Sequence, residues 1–348
     1  MGGLTTDAGC EPAPIARRAI LLAAPAMVLA RAVAAAAPQC PIDFRMIIAG
    51  PAGGALARWG GLLATALRGE TAAMPHEMVG GEDGVTGANQ FATRTSPDGM
   101  TALLAPGAAA LARLSGDPRA QFDAAGWLAV MAGVSPGVCV SRIEIDTARR
   151  GTVLRVAASG PAGPEMALLL AAELLGLKLE PVFGLAQRDS AARALTSGAV
   201  DAVLVRGPDS ASHIAQLAAA GMPARFTLGA PGEKGWQRDP GLPSLPALPE
   251  LLAGHDVSAE MAAAWAAVAM AGQLEFGLLL PAMSPAPMVA QWRSAGDGSV
   301  AALRDAVADV RILNAAQTPP ITKALMPDAP ATLALRAWLA DRFKWQPA

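Results

Sequence analysis

The chain has 348 residues, and its formal net charge at pH 7 is −2. This length allows roughly two domains, and the near-neutral balance excludes the strongly basic surface typical of proteins that bind nucleic acid. Aromatic residues make up only 4% of the chain and tyrosine is absent, so the core must be built mainly from alanine, leucine and valine.

The N-terminus has the order of features found in an export signal. Arg17 and Arg18 precede the apolar stretch 19–30, and a tract of alanines follows it. A basic pair, an apolar run and a small-residue cleavage site are typical of exported proteins, and the run is shorter than the roughly 20 residues of a bilayer span. We therefore predict that residues 1–37 are an export signal for the periplasm. Both the twin-arginine and the general secretory route remain open.

Two cysteines, Cys40 and Cys139, would remain after removal of the signal. An oxidising compartment allows them to form a disulfide. Cys139 lies in the apolar run 138–140, however, where a buried free thiol is the alternative. Their spacing does not decide between the two, and no cysteine cluster indicates a metal site.

Short apolar runs alternate with helical patterns along the rest of the chain. This alternation predicts an α/β fold with parallel sheets covered on both faces. The predicted strands cover residues 44–49, 77–79, 102–105, 128–130, 138–141, 154–158, 179–182, 202–205, 224–228 and 276–280. The predicted helices cover residues 55–67, 87–94, 108–114, 164–175, 189–197, 208–219, 286–293, 300–310 and 331–342.

Several predicted strands end in loops that contain glycine. In the first, Gly53 and Gly54 follow a buried strand and precede the helix 55–67. The first amides of a helix have no internal partner, so this loop is suited to a carboxylate, although an ordinary strand–helix connection also favours glycine. The other loops of this type cover residues 80–84, 106–107, 159–163 and 206–208. The carboxyl ends of strands in an open α/β sheet face one crevice, so we expect these loops to converge on one cleft.

Catalytic motifs are absent from the sequence. His76, His213 and His255 are its three histidines, and none belongs to a recognised metal or triad motif. Residues 80–87 contain several glycines, but their spacing does not match a dinucleotide-binding fingerprint. We therefore expect no enzymatic activity, no cofactor and no metal. The alternative is a periplasmic α/β enzyme, which would need a histidine near an acid or serine in the cleft.

Several segments follow one another in the order of a known family. They are residues 51–54, 84–88, 96–104, 158–163, 198–201, 243–250 and 276–285. With these segments the chain resembles the solute-binding proteins of tripartite tricarboxylate transporters, the Bug or TctC type, over about residues 41–345. The resemblance implies a two-domain Venus-flytrap fold that closes on a small organic carboxylate. Its partner would be the membrane component of such a transporter, or a sensor, and not nucleic acid.

The resemblance also implies domain boundaries and site residues. Domain 1 would comprise residues 39–134 and 233–348, domain 2 would comprise residues 135–232, and each would contain a mainly parallel sheet. One wall of the cleft would be formed by Gly53, Gly54, Ala55, Gly84, Val85, Thr86, Gly87, Pro106, Gly107 and Ala108. The opposite wall would be formed by Ser159, Gly160, Gly163, Glu165, Phe183 and Arg206.

The chain departs from the family pattern at several positions. Ala57 and Gly61 stand where the family usually has Asp and Arg, and residues 107–109 lack its Ser or Thr. These losses leave open a member that no longer binds a ligand and acts as a scaffold. The segment 140–152 is short enough to lack a family helix, and residues 261–272 resemble local extra sequence.

Arg206 stands where the family has an aspartate. Because an arginine often binds a carboxylate through two parallel hydrogen bonds, we predict that Arg206 holds a second acidic group of the ligand. The alternative is a solvated arginine, or one paired with Asp209 or Glu165. Glu165 opens a predicted helix, so we expect it to cap that helix first and to contact ligand second.

Overall fold

The computed structural model describes residues 43–68, 74–81, 83–233 and 235–346. The predicted export signal and Cys40 lie outside this part of the chain. Within it, no helix combines the length and apolar character that a bilayer crossing requires.

Strands and helices alternate along the described chain. The strands are β1 (Arg45–Ile48), β2 (His76–Met78), β3 (Thr101–Ala105), β4 (Leu128–Val134), β5 (Val138–Ser141), β6 (Leu154–Ala157), β7 (Leu179–Val182), β8 (Ala202–Val205), β9 (Ala224–Thr227), β10 (Ala230–Gly232), β11 (Gly235–Gln237), β12 (Leu274–Leu280) and β13 (Arg311–Asn314). The helices are α1 (Ala55–Arg68), α2 (Val85–Arg94), α3 (Gly107–Ser115), α4 (Ile145–Arg149), α5 (Met166–Leu174), α6 (Arg188–Ser197), α7 (Ser210–Ala219), α8 (Leu248–Leu251), α9 (Ala259–Gln273), α10 (Ala286–Ala306), α11 (Pro319–Leu325) and α12 (Ala329–Phe343). Every predicted strand is present, and the α/β class is confirmed.

The strands form two larger sheets and a small hairpin. Lobe 1 is built on a six-stranded sheet with the order β13-β4-β12-β3-β1-β2, and lobe 2 on a five-stranded sheet with the order β7-β6-β8-β5-β9. Strands β10 and β11 pair separately as an antiparallel hairpin. In lobe 1, α1 packs against β1 and α10, and in lobe 2, α6 and α7 pack against β8.

The sheets are mixed, which corrects the prediction of mainly parallel sheets. In lobe 1, β1 is parallel to β2 and β3, whereas β12 is antiparallel to β3 and β4. In lobe 2, β6 is parallel to β7 and β8, whereas β5 is antiparallel to β8 and β9. The antiparallel pairs arise because the chain leaves lobe 1 through β4, enters lobe 2 through β5, and later returns to lobe 1 through β12.

Only residues 135–137 separate β4 from β5, so this segment links the lobes directly. Ser135 is fully buried, and its amide donates to the Gln273 carbonyl at 3.0 Å. Gln273 is the last residue of α9, through which the chain returns to lobe 1. The two connections between the lobes are therefore hydrogen-bonded to each other.

Helix α9 forms part of the core. Residues 261–272, which resemble local extra sequence, lie within this helix, and its side chains from Ala264 to Gln273 are mostly buried. The helix packs against α3, α5, α11 and α12. The segment 140–152 contains the short helix α4, and the absence of a family helix from it stays a prediction.

Helix α10 replaces two shorter predicted helices. Its 21 residues run through Gly296, although glycine disfavours a helix interior by about 1 kcal/mol. An added Cβ at Gly296 would lie 3.3 Å from Val130 Cγ1, so the glycine allows α10 to approach the sheet closely. Trp292 anchors the same helix by stacking on Phe44 at a centroid distance of 4.8 Å.

Candidate functional site

A cavity of about 410 Å³ lies between the two lobes. Lobe 1 contributes Ala55 and Arg58 from the first turn of α1, together with Glu275 from β12. Lobe 2 contributes the lining residues Glu165, Leu185, Ala186, Gln187, Arg188, Val205, Arg206, Gly207, Pro208 and His213. We call this space the interlobe cavity, and its volume suits a small organic molecule.

The N-terminus of α1 reaches the interlobe cavity with unpaired amides. Within the described chain, the amides of Ala55, Leu56 and Ala57 have no acceptor, and the first turn contains no acidic residue. Gly53 has a φ of +81° and open space where a side chain would point. The helix end therefore keeps its partial positive charge towards the cavity, as the glycine loop predicts.

The second predicted loop, at the start of α2, is already occupied by the protein itself. Asp83 Oδ1 accepts a hydrogen bond from the Val85 amide at 3.1 Å. Gly84 and Gly87 serve close packing, since an added Cβ at Gly84 would lie 2.5 Å from Pro106 Cδ. Gly84, Val85, Thr86 and Gly87 do not line the interlobe cavity.

The third predicted loop, at the start of α3, is covered by the backbone of α9 and β12. An added Cβ at Gly107 would lie 1.9 Å from the Ala271 carbonyl oxygen, so this glycine is required for packing. Pro106 lines a separate apolar cavity of about 100 Å³ beside Phe122. Pro106, Gly107 and Ala108 are not among the residues that line the interlobe cavity.

The loop that begins at Ser159 is closed by the carboxylate of Glu165. Glu165 Oε2 accepts hydrogen bonds from the Ser159 amide at 3.1 Å and from the Ser159 hydroxyl at 2.6 Å. An added Cβ at Gly163 would lie 2.0 Å from Ser159 Oγ, whereas Gly160 faces open space. Glu165 thus supplies the acceptor that a ligand carboxylate would otherwise provide to this loop.

Phe183 lies beside the loop but not at the interlobe cavity. Its ring packs edge-on against Phe343 of α12, with ring centroids 5.9 Å apart and planes at 83°. The side chain is 42% exposed. Phe183 therefore faces the C-terminal helix in this structure.

Three guanidinium groups line the interlobe cavity, those of Arg58, Arg188 and Arg206. In the described chain none of them forms an ion pair, so Arg206 pairs with neither Asp209 nor Glu165. Arg188 Nη2 donates to the carbonyl oxygens of Arg206 at 3.2 Å and of Pro208 at 3.0 Å. The sequence predicted only Arg206.

The positions of the other two arginines could have been read from the predicted elements. Arg58 lies one turn after Ala55 in α1, and Arg188 is the first residue of α6. Residues near helix starts that follow sheet strands face the crevice at the strand ends. The sequence could therefore have predicted that Arg58 and Arg188 lie at the same cleft as Arg206.

Glu275 is a further lining residue that the sequence did not predict. It stands immediately before the segment 276–285 that carries part of the family resemblance. Its Oε1 accepts a hydrogen bond from the Ser135 hydroxyl at 2.6 Å. That hydroxyl in turn accepts one from the Gly207 amide at 3.0 Å. The chain of bonds connects lobe 1, the link and lobe 2 at one side of the cavity.

His213 contributes a neutral ring to the same lining. Burial lowers the pKa of His213 below its ordinary value of 6.5, and the charge of Arg188 lowers that pKa further. Its Nδ1 is buried without a hydrogen-bond partner in the described structure. The nearby carboxylate of Asp189 acts against this lowering, but His213 Nδ1 forms no hydrogen bond to an acid or a serine in the described structure.

Within the described ranges, no arrangement of side chains for binding a metal ion or for thiol chemistry is present. No group of three or more His, Cys, Asp and Glu side chains is arranged there to hold a metal ion. Cys139 is buried on β5, and burial raises the pKa of its thiol to about 12. Pairing with Cys40 stays a prediction because Cys40 lies outside the described residues.

Comparison with known proteins gives matches in structure only. No protein-family model and no curated protein matches the sequence. The chain is similar to a ligand-free TctC solute-binding protein from Polaromonas, with 18% identity, 86% of this chain and 98% of that chain covered, and a TM-score of 0.61.

Two other solved structures are similar to the chain at lower TM-scores. The periplasmic binding protein BugD is 18% identical, with 86% of this chain and 96% of that chain covered and a TM-score of 0.49. MatC from Rhodopseudomonas palustris, with bound malate, is 17% identical, with 86% and 98% covered and a TM-score of 0.46. At such identities it is the fold that the comparisons establish.

Proposed function

We propose that this chain, which has the fold of a TctC-type solute-binding protein, captures a small organic carboxylate outside the cytoplasm. Closure of the two lobes would enclose the ligand in the interlobe cavity without any chemical reaction. The loaded protein would then deliver it to a membrane transporter or a sensor. Residues 1–37 would direct export, and the lobes would divide into residues 39–134 with 233–348 and residues 135–232.

The observation that carries the proposal is the positive lining of the interlobe cavity. Among the described residues, the unpaired N-terminus of α1 and three guanidinium groups that form no ion pair line this cavity from both lobes, and they outnumber its two carboxylates, Glu165 and Glu275. Arginine and unpaired helix amides are the groups that bind carboxylates best in proteins. A carboxylate between them would bind to both lobes at once and so stabilise the closed arrangement.

We assign the ligand contacts to the residues around this lining. The unpaired amides at the start of α1, beginning with that of Ala55, would hold one carboxylate group, and Arg206 would hold a second. Hydrogen bonds to charged groups contribute roughly 1.5–3 kcal/mol each, and micromolar affinity needs about 8 kcal/mol. A few such contacts therefore supply enough binding free energy for a transport protein.

A thermal-shift screen tests the proposal. The exported chain, without residues 1–37, is heated with a panel of mono-, di- and tricarboxylates. A ligand that binds only the native state raises the unfolding temperature with concentration, in line with RT ln(1 + [L]/Kd). We expect at least one acid to do so. Failure of every acid would contradict the proposal and favour a scaffold that has lost its ligand.

A further inference from the structure

A second cavity lies beside the link between the lobes, with a volume of about 220 Å³. We call it the link cavity, and none of its lining residues lines the interlobe cavity. Lobe 1 contributes Asp309 and Arg311, lobe 2 contributes Ser210 from the start of α7, and Asp239 comes from the segment after β11. We propose that the link cavity is a second binding site, which takes a small neutral ligand with neighbouring hydroxyl groups, that is, a polyol or a single sugar.

Three buried polar atoms of this lining have no hydrogen-bond partner in the described structure. They are Ser210 Oγ, Asp239 Oδ2 and Arg311 Nε. Ser210 is 1% exposed and Asp239 is 2% exposed, so both side chains are removed from bulk water. Arg311 Nη2 lies 3.9 Å from Asp239 Oδ2, which is too far for a hydrogen bond. Because buried polar groups are costly when unpaired, these atoms indicate a ligand that supplies their partners.

The three atoms require different partners. Asp239 Oδ2 accepts a hydrogen bond, Arg311 Nε donates one, and Ser210 Oγ can do both. A hydroxyl group also donates and accepts, so two neighbouring hydroxyls can satisfy all three atoms. A cation would leave Arg311 without an acceptor, and an anion would be repelled by the carboxylates of Asp239 and Asp309. The lining therefore favours neutral hydroxyl groups over either class of ion.

The two carboxylates of the link cavity are held in place by backbone amides. Asp239 Oδ1 accepts a hydrogen bond from the Gly241 amide at 2.9 Å. Asp309 Oδ2 accepts one from the Ala211 amide at 2.9 Å, which joins lobe 1 to the first turn of α7 in lobe 2. The acceptors of the cavity are therefore ordered before a ligand arrives, which lowers the entropy cost of binding.

The rest of the lining suits the carbon skeleton of a polyol. Pro136, Ile214, Leu242 and Val310 contribute apolar side chains to the cavity. A buried water needs roughly 2–4 polar partners, which these side chains do not offer, whereas C–H groups pack against them. Pockets for drug-sized ligands measure roughly 300–1,000 Å³, so the smaller link cavity limits its ligand to about the size of one sugar ring.

Isothermal titration calorimetry of the exported chain tests the inference, with glycerol and myo-inositol as polyols and ribose and glucose as sugars. We expect at least one of them to bind with a Kd below about 1 mM. Ser210→Ala should weaken that binding about threefold or more, and Asp239→Asn, which keeps an oxygen for the Gly241 amide, about tenfold. Ser212→Ala, at an exposed position on the same helix, is the matched control and should bind as the wild type does.

The outcomes decide between a ligand site and a cavity that holds only water. Ser210 Oγ has no partner within the protein, so Ser210→Ala should unfold at the wild-type temperature, and this variant decides alone if Asp239→Asn does not fold. If none of the four compounds binds, the link cavity holds water only and the inference is wrong. If one binds but Ser210→Ala binds it as tightly as Ser212→Ala does, the compound lies elsewhere and the inference is also wrong. Neither result bears on carboxylate capture, which other ligands and other residues test.

Discussion

The Ser135 hydroxyl donates a hydrogen bond to Glu275 Oε1 at 2.6 Å, at the point where the link between the lobes meets the interlobe cavity. The same hydroxyl accepts from the Gly207 amide of lobe 2 at 3.0 Å. A single buried oxygen therefore connects a side chain of lobe 1 to the backbone of lobe 2. Any rotation of one lobe against the other must preserve or break these two bonds.

Substitution of Ser135 should destabilise the protein. In Ser135→Ala the Gly207 amide loses its acceptor, and a buried donor left unpaired costs about 1–3 kcal/mol. Urea denaturation should show this loss in the free energy of unfolding. Ser294→Ala, at an exposed position on α10, is the matched control and should change stability little. Equal stability of the two variants would argue against a role for Ser135 in joining the lobes.

Removal of the Arg206 guanidinium should weaken ligand binding. Arg206 lines the interlobe cavity without an ion-pair partner in the described chain, so its loss removes a charged hydrogen bond to the ligand. Such bonds contribute roughly 1.5–3 kcal/mol, which corresponds to a loss of affinity of at least about tenfold. Calorimetry with the tightest acid of the screen measures it. Arg193→Ala, on the exposed side of α6, should bind normally; unchanged affinity of Arg206→Ala would refute the assignment.

Asp201 should make stability depend on pH. Burial acts to raise the pKa of Asp201, but hydrogen bonds from Arg155 outweigh it and hold that pKa below its ordinary value of 3.8. The carboxylate is therefore stabilised in the folded state, and its contribution is complete above pH 3.8 and lost as pH falls through the lower folded pKa.

To test this pH dependence, we would measure the free energy of unfolding of the wild type and of Asp201→Asn from pH 7 downwards. Arg155 binds both carboxylate oxygens, each at 2.8 Å, so the variant should be less stable by about 1.5–3 kcal/mol at pH 7. The difference should shrink below pH 3.8. Asp256→Asn, at an exposed position, is the control. A difference that is independent of pH would show that the charge of Asp201 does not matter.

Substitution by alanine should have opposite effects on stability at Gly107 and at Gly61. An added Cβ at Gly107 would lie 1.9 Å from the Ala271 carbonyl oxygen, which cannot move freely, so Gly107→Ala should cost about 1–3 kcal/mol. An added Cβ at Gly61, exposed in the interior of α1, meets nothing within 4 Å, so Gly61→Ala should stabilise by about 1 kcal/mol. Thermal unfolding of both variants measures these effects, and a stabilised Gly107→Ala would exclude the packing role.

The local elements of this protein could be predicted from its sequence. The strands at 138–141, 179–182 and 202–205 were predicted with the bounds that the structure has, because short apolar runs between glycines and prolines leave few other conformations. The loop before α1 was predicted as an anion site for a local reason too. The unpaired amides at a helix start depend only on the helix itself.

The rest was decided by tertiary structure. The direction of β12 and the continuity of α10 depend on long-range packing, which overrides local propensity. Gly53 and Gly107 look alike in the sequence, but Gly53 faces open space, whereas the packing of α9 places a carbonyl oxygen against Gly107. That Arg206 and Glu275 line the same cavity likewise depends on how the link between the lobes folds. The sequence by itself therefore determined where strands end and helices begin, because these depend on local patterns, and the packing of the two lobes decided which helix starts stay open and share a cavity.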